Sequence, residues 1–452
     1  MQKLFSDLYL RVFSSILGNE LVLRVVKNSG YLFSATGIAA ALSMLQGILA
    51  ARMLGVTNFG VLGAITVFTS VVNKFASFRM AELVIKYVGQ YSEVGDKQRA
   101  AAVFKVAGIA ELTSSILAFG LVWLLAPLGA LFFAKDATTA NWFILYGLVV
   151  LANFISESAT GLLQIYDRFR RIAAVTIGQS SLTLVLISLA YLNGGGLVEV
   201  VVAYMIGKVA GALGLTITAL REATQQWGSG WWRAPIHLLR GKGRELASFA
   251  INTNISATIN LINKDSELLW VSALRNPTEA GYYKLALALA NMVQMPVSPL
   301  PQATYPELSR EVARTNWANV RHVLKQGSIL AFVYTFLAGL GLLLFGQPLI
   351  GFFYGAEFLP AYPALLILLC GFLVANTFYW NRTALLALGR PDYPTKVNLA
   401  AAGIKVVGIL MIVPIFGYLG SAALLASFYF FSISLNVRKS LLLLKTQQAV
   451  AV

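Results

Sequence analysis

Apolar stretches, many of about 20 residues, recur along this 452-residue chain from Gly30 almost to its end. A run of that length crosses the ~30 Å hydrocarbon core of a bilayer as a helix. Lipid offers the backbone no hydrogen-bond partners, so only helices and closed barrels span it. A barrel would show short alternating segments instead. Composition agrees: 58% of residues are hydrophobic and 12% charged, against roughly 25% charged in soluble domains. The chain reads as an all-α polytopic membrane protein.

The apolar runs place helices at about 30–51, 59–78, 101–126, 141–163, 172–192 and 197–220, then 246–274, 280–300, 322–346, 359–387, 395–414 and 418–437. This predicts about twelve transmembrane helices in two six-helix lobes, 30–220 and 246–440. Residues 1–29 mix Lys3, Asp7, Arg11, Glu20 and Arg24 with Leu and Phe. They lack the apolar core of a cleavable signal and read as an amphipathic segment on the membrane surface. Residues 221–245 form a linker carrying WGSGWWR, whose tryptophans read as interface anchors. Residues 441–452 form a tail.

Lysines and arginines sort by side. The termini, the linker and alternate loops hold nearly all of them, while the other side receives only Arg52, Lys135 and Arg275. Cytoplasmic loops carry the basic excess, so both termini are expected in the cytoplasm. The net charge of +16 is then a consequence of topology, and no nucleic-acid partner is needed to explain it. Cys370 is the single cysteine, which excludes an intrachain disulfide and a cysteine metal cluster. His237 and His322 lie in polar stretches and read as solvated surface.

The two halves resemble each other at a shift of about 221. LGVTNFGVLGAI from Leu54 pairs with RNPTEAGYYKLA from Arg275, matching Thr57 to Thr278 and Gly60 to Gly281. GLLQIYDRF from Gly161 pairs with ALLALGRPD from Ala384, and GLVEVVVAY from Gly196 with GYLGSAALL from Gly417. Six helices per half keep both halves in one orientation. They are therefore parallel repeats about an axis along the membrane normal, between which transporters place substrate.

Polar residues inside the expected spans fall on single helix faces. The seventh helix carries Asn260, Asn263, Lys264 and Glu267 on one face, and the eighth carries Lys284, Asn291, Gln294 and Ser298. The second helix matches with Ser70, Asn73 and Ser77, the first with Ser43 and Gln46. Such faces line a water-filled cleft or pack helix against helix. Lys74, Lys208, Lys264, Lys284, Arg382 and Lys405 also fall within spans. A charge at the bilayer centre costs roughly 2.5–3.5 kcal/mol, which favours a lumen for Lys74, Lys264 and Lys284. Lys105 and Lys405 read as snorkelling to an interface. Glu111, Glu157, Asp265 and Glu267 are the expected counter-charges.

AARMLGVTNFGVLGAITVFTSVV, from Ala50 to Val72, resembles the signature of the polysaccharide-unit flippases of the multidrug/oligosaccharidyl-lipid/polysaccharide exporter superfamily. The matching positions are Ala51, Arg52, Leu54, Gly55, Phe59 and Gly60. KDSELLWVSALRNPTEAGYYKLALAL is similar to the family's second-half pattern at Asp265, Gly281 and Tyr283. Lipid II flippases of the superfamily usually carry two more helices. The resemblance implies a flippase in a bacterial or archaeal cytoplasmic membrane, moving undecaprenyl-pyrophosphate-linked oligosaccharide for O-antigen, capsule or exopolysaccharide assembly. It implies no cofactor, and coupling to H+ or Na+ stays open. Under it, Arg52, Lys74, Lys264, Lys284 and Arg382 would be the lumen cations that meet pyrophosphate. Asn73, Asn260, Asn263, Asn291 and Gln294 would form the polar lumen that meets sugar. The prenyl tail would stay among membrane lipids. Asp265 and Glu267 would neutralise Lys264 or bind a coupling cation. The rivals are a multidrug cation antiporter, which would prefer an acidic lumen, and a membrane enzyme acting on lipid-linked sugars, for which no long outer loop is present.

Overall fold

The computed structural model describes residues 20–77, 80–249 and 266–451, and every regular element among them is helical. The first half contains α1 (Glu20–Ala76), α2 (Met80–Glu93), α3 (Lys97–Gly129), α4 (Ala140–Ala152), α5 (Ser156–Ile165), α6 (Phe169–Leu192) and α7 (Leu197–Trp227). Two 3-10 segments, Trp231–Arg233 and Ile236–Lys242, follow in the linker. The second half contains α8 (Glu267–Leu274), α9 (Pro277–Gln294), α10 (Leu300–Ala313), α11 (Trp317–Phe353), α12 (Ala361–Thr377), α13 (Asn381–Ala387) and α14 (Asp392–Ala451).

Each of the two longest helices is bent at one glycine. Gly55 in α1 has φ 66° and Gly417 in α14 has φ 59°. Glycine reaches positive φ without a Cβ clash, so each long helix becomes two limbs. Among the described residues, eight helical stretches are long and apolar enough to cross a membrane. With the two bent ones read as pairs and the α8–α9 hairpin added, the roughly twelve-helix architecture expected from sequence is present. Outward surfaces are apolar, as lipid requires. Leu330, Leu337 and Leu344 recur every seven residues along α11, and all three are exposed.

The repeat becomes a local two-fold contact. The hydroxyls of Thr57 and Thr278 lie 2.9 Å apart across the interface between the halves. A methyl added at Gly60 would overlap the Pro277 carbonyl, and one added at Gly281 would overlap the Val56 carbonyl. Pro277 and Val56 are themselves repeat partners at the shift of 221. Reciprocal pairing of this kind is what a two-fold axis imposes. The halves thus touch most closely at the end where Gly55 and Gly417 turn.

Several expectations are corrected. No break separates residue 29 from residue 30, because α1 is continuous from Glu20; residues 1–19 lie outside the described part. The expected helices 141–163 and 359–387 are each broken, at 153–155 and 378–380, into α4–α5 and α12–α13. α2 and α10, expected as loops, are helices, and α2 buries Met80, Leu83, Val84, Tyr87 and Val88 on one face. The linker does not merely float on the bilayer. Trp227 and Trp231 pack on Phe104, with ring centroids 5.7 and 5.4 Å away, and Ala234 and Leu239 are buried. Lys105, expected to snorkel, donates to the Ala234 carbonyl at 3.3 Å and so ties α3 to the linker. The tail at 441–451 is the continuation of α14.

Candidate functional site

The basic residues of the sparsely charged side, Arg52, Lys135 and Arg275, are all engaged at the closed end. Arg52 donates to the carbonyls of Phe352 and Phe353 at the C-terminus of α11. Lys135 donates to Ala273 O at the C-terminus of α8, at 2.7 Å. Arg275 donates to Pro414 O at 3.0 Å and pairs with Glu279 at 2.8 Å. The last carbonyls of a helix lack intrahelical donors and carry partial negative charge, so cations settle there. The expectation that Arg52 faces a lumen is therefore corrected: it is exposed and clasps the two halves together. Ser272, in the other half, reciprocates by donating to Phe133 O.

Inside this closed end lies a cavity of about 420 Å³ lined by Lys284, Asn291 and Gln294 together with Val67, Phe372 and Tyr429. The face expected from the sequence of α9 is the face that lines it. The Lys284 ammonium donates to Phe59 O at 3.2 Å and sits 3.9 Å from the centre of the Phe59 ring. No carboxylate pairs with Lys284 among the described residues. Lys284 therefore brings a cation to a part-buried wall made mostly of apolar groups.

Each half holds a further polar cavity towards the linker end. The N-lobe cavity, about 460 Å³, is lined by Asn73, Ser77, Glu82, Glu111 and Glu157 among others, and no Lys or Arg among the described residues lines it. The C-lobe cavity, about 470 Å³, is lined by Gln294, Ser298, Arg382 and several asparagines, and no Asp or Glu among the described residues lines it. The two are repeat partners: Asn73 corresponds to Gln294 and Ser77 to Ser298 at the shift of 221. Gln294 and Tyr429 line both the central and the C-lobe cavity, so these two adjoin. A larger cavity of about 600 Å³ lies beneath the linker and is mostly apolar, with His237 and Arg240 at its edge.

Glu111 is 3% exposed. Its carboxylate accepts from the Glu157 and Ser158 backbone amides at 2.8 and 3.0 Å and from the Ser158 hydroxyl at 2.7 Å. It caps the N-terminus of α5 from a neighbouring helix, where the helix dipole favours an anion. The expected role as counter-charge to a lysine is replaced by this one. Glu157 is exposed on the cavity. Lys74 is exposed beside Asn73 but is not among the cavity-lining residues, and Lys208 is exposed on α7.

Glu267 is corrected most sharply. It is 1% exposed and accepts from the Lys405 ammonium and the Tyr283 hydroxyl. It belongs to the interior of the second half and not to a cavity wall. Lys405, expected to snorkel, is 3% exposed and reaches it from α14. Gln46, expected on a lumen face, is buried and donates to Ser180 O at 2.8 Å between α1 and α6. Asn260, Asn263, Lys264 and Asp265 lie outside the described residues. The cavity asparagines Asn153, Asn376, Asn398 and Asn436 went unselected in the sequence. A carboxamide within an apolar run was the signal that could have found Asn376 and Asn436.

A helical membrane protein with two repeat-related halves closed at one end around polar cavities has the architecture of an alternating-access carrier. Residues 25–312, well over half of the chain, match the family described as polysaccharide biosynthesis protein, and the chain belongs to that family. It is 23% identical over 339 residues to the inner membrane protein YghQ of Escherichia coli (strain K12), which covers 75% of this chain and 94% of that protein. Its fold is that of a multidrug resistance MATE family transporter of the MOP superfamily in an inward-facing conformation, with TM-score 0.70, 12% identity and 92% and 96% of the two chains covered. It is also that of the lipid II flippase MurJ in an inward closed conformation, with TM-score 0.69, 16% identity and 90% and 87% covered. The resemblance to the exporter superfamily drawn from the two sequence signatures is borne out.

Proposed function

We propose that the protein flips lipid-pyrophosphate-linked oligosaccharide units, carried on undecaprenyl, from the inner to the outer leaflet of a bacterial or archaeal cytoplasmic membrane. The product would supply O-antigen, capsule or exopolysaccharide assembly. The observation that carries this reading is Lys284: a cation without a carboxylate partner among the described residues, in a cavity between the halves, with Asn291 and Gln294 on the same face. A pyrophosphate cannot enter hydrocarbon unpaired, and a charge-assisted hydrogen bond from Lys284 offsets part of that cost. The prenyl chain stays in the bilayer while the headgroup passes between the lobes. Family membership and the relative named as an inner membrane protein support the reading. Flipping breaks no covalent bond, so the proposal requires no catalytic residue and no cofactor.

The acidic N-lobe cavity favours a second reading. Glu82, Glu111 and Glu157 suit an organic cation, as a multidrug antiporter would carry, or a coupling H+ or Na+. Purified protein in liposomes separates these. Wild type should move a fluorescent prenyl-diphosphate sugar between leaflets and leave cationic dyes behind. Lys284→Gln should slow flipping about 10- to 100-fold, the equivalent of roughly 1.5–3 kcal/mol for a hydrogen bond to a charged group. Ion-driven dye transport without sugar-lipid flipping would replace the flippase reading by the antiporter.

A further inference from the structure

The C-lobe and N-lobe cavities are related by the repeat, yet their chemistry has diverged. Among the described residues, the N-lobe member is lined by Glu82, Glu111 and Glu157 together with Asn73, Asn153 and several hydroxyls. Among the described residues, the C-lobe member presents Arg382, no acid, and five carboxamides: Gln294, Asn376, Asn381, Asn398 and Asn436. Gln294 and Tyr429 line both the central and the C-lobe cavity, whereas among the described residues none that lines the N-lobe cavity also lines the central one, so a headgroup held at Lys284 has the C-lobe cavity beside it. The route is continuous. Lys284, Asn291 and Gln294 follow one face of α9 over about 15 Å at 1.5 Å per residue, and Gln294 forms part of the C-lobe wall.

Carboxamides suit sugars because each offers both donors and an acceptor to hydroxyls and acetamido groups. Two of these are held in place by neighbours. Asn376 donates to the Thr335 hydroxyl at 3.2 Å, and Asn436 donates to Asn381 Oδ1 at 3.1 Å. Asn436 is 3% exposed, and its own Oδ1 has no donor among the described residues. A buried acceptor without a partner is unfavourable, and a ligand donor in the cavity would satisfy it. The volume of about 470 Å³ lies within the roughly 300–1,000 Å³ of small-molecule sites.

We infer that the C-lobe cavity is the sugar subsite: it takes an uncharged hydroxyl- and acetamido-bearing sugar of the headgroup, with Asn436 Oδ1 accepting from a sugar N–H or O–H. This rests on the lipid-linked substrate proposed above. The N-lobe cavity takes no part in holding the sugar.

Full-length protein in nanodiscs tests this with two probes, a polyprenyl diphosphate and the same lipid bearing one N-acetylglucosamine, titrated by tryptophan fluorescence. Wild type should bind the glycosylated probe more tightly. Asn436→Leu should weaken the glycosylated probe at least tenfold and shift the bare lipid less than twofold. Gln294→Ala, on the cavity wall and half-buried, should reproduce the selective loss at fivefold or more, which keeps the test decisive if Asn436→Leu fails to fold. Lys284→Gln should weaken both probes. Unchanged binding of the glycosylated probe to Gln294→Ala and folded Asn436→Leu, or equal loss of both probes, overturns the sugar subsite and leaves the lipid-linked reading standing. Failure of wild type to bind either probe overturns both.

Discussion

Glu267 and Lys405 form an ion pair in the interior of the second half, where the two side chains are 1% and 3% exposed. Desolvating both ions offsets most of their attraction, so the intact pair contributes little net stability. Its loss on one side is another matter. Lys405→Met strands a buried carboxylate and is expected to destabilise the protein by about 3–5 kcal/mol, measured by thermal unfolding in detergent. Lys405→Met combined with Glu267→Leu should recover most of that loss; a double variant as unstable as the single one would refute pairing as the cause. Glu111 poses the complementary case, an anion satisfied by a helix terminus instead of a cation. Glu111→Ala removes its three hydrogen bonds and should cost about 0.5–2 kcal/mol, as for loss of a helix cap. Hydrogen exchange should report this as faster opening around residues 156–160, with α12 unaffected.

α1 and α9 meet through glycines because nothing larger fits. Gly60→Val drives a branched side chain into the Pro277 carbonyl, and Gly281→Val drives one into that of Val56. Each should force this end apart and raise thiol labelling of a cysteine placed at Thr57. The opposite manipulation locks it. With Cys370 replaced by Ala, Thr57→Cys with Thr278→Cys should form a disulfide under mild oxidation, since the wild-type hydroxyls already lie 2.9 Å apart. Transport should stop on oxidation and resume on reduction. Undiminished transport by the fully cross-linked protein would show that this end need not open. The repeat was readable here from Thr57, Gly60, Thr278 and Gly281 alone. Their meeting on the axis was not, because a sequence match places two residues at equivalent positions without stating that those positions touch.

Across the molecule, closure and charge run in opposite directions. The end near Gly55 and Gly417 is sealed by helix-capping cations and glycine contacts, while the polar cavities lie towards the linker. In an alternating-access cycle a molecule closed at this end would admit a substrate from the linker side, which the sorting of Lys and Arg leads us to expect in the cytoplasm. Arg52 contributes to the seal by joining α1 to α11. Arg52→Gln should therefore shift the population towards opening at that end, read as increased labelling of a cysteine at Thr278, with headgroup affinity retained. Loss of affinity equal to that of Lys284→Gln would return Arg52 to the binding machinery.

The membrane class, the outline of about twelve helices and the internal repeat followed from the chain alone, because hydrophobic length and periodicity are local properties that lipid reads directly. So did the shared face of Lys284, Asn291 and Gln294, since a helix fixes which residues lie on one side. Periodicity does not reveal what a face meets. Glu267 shares its helix face with Lys264 in sequence, yet its partner Lys405 lies 138 residues away, and only the packing of α8 against α14 brings them together. Arg52 carries the same charge wherever it lies; the end of α11 makes it a clasp. The breaks at 153–155 and 378–380 and the cavities beside them are likewise products of packing, since hydropathy averages across a three-residue interruption. The differing linings of the two repeat-related cavities come from residues scattered over several helices in each half, a sum that becomes visible once the helices are assembled.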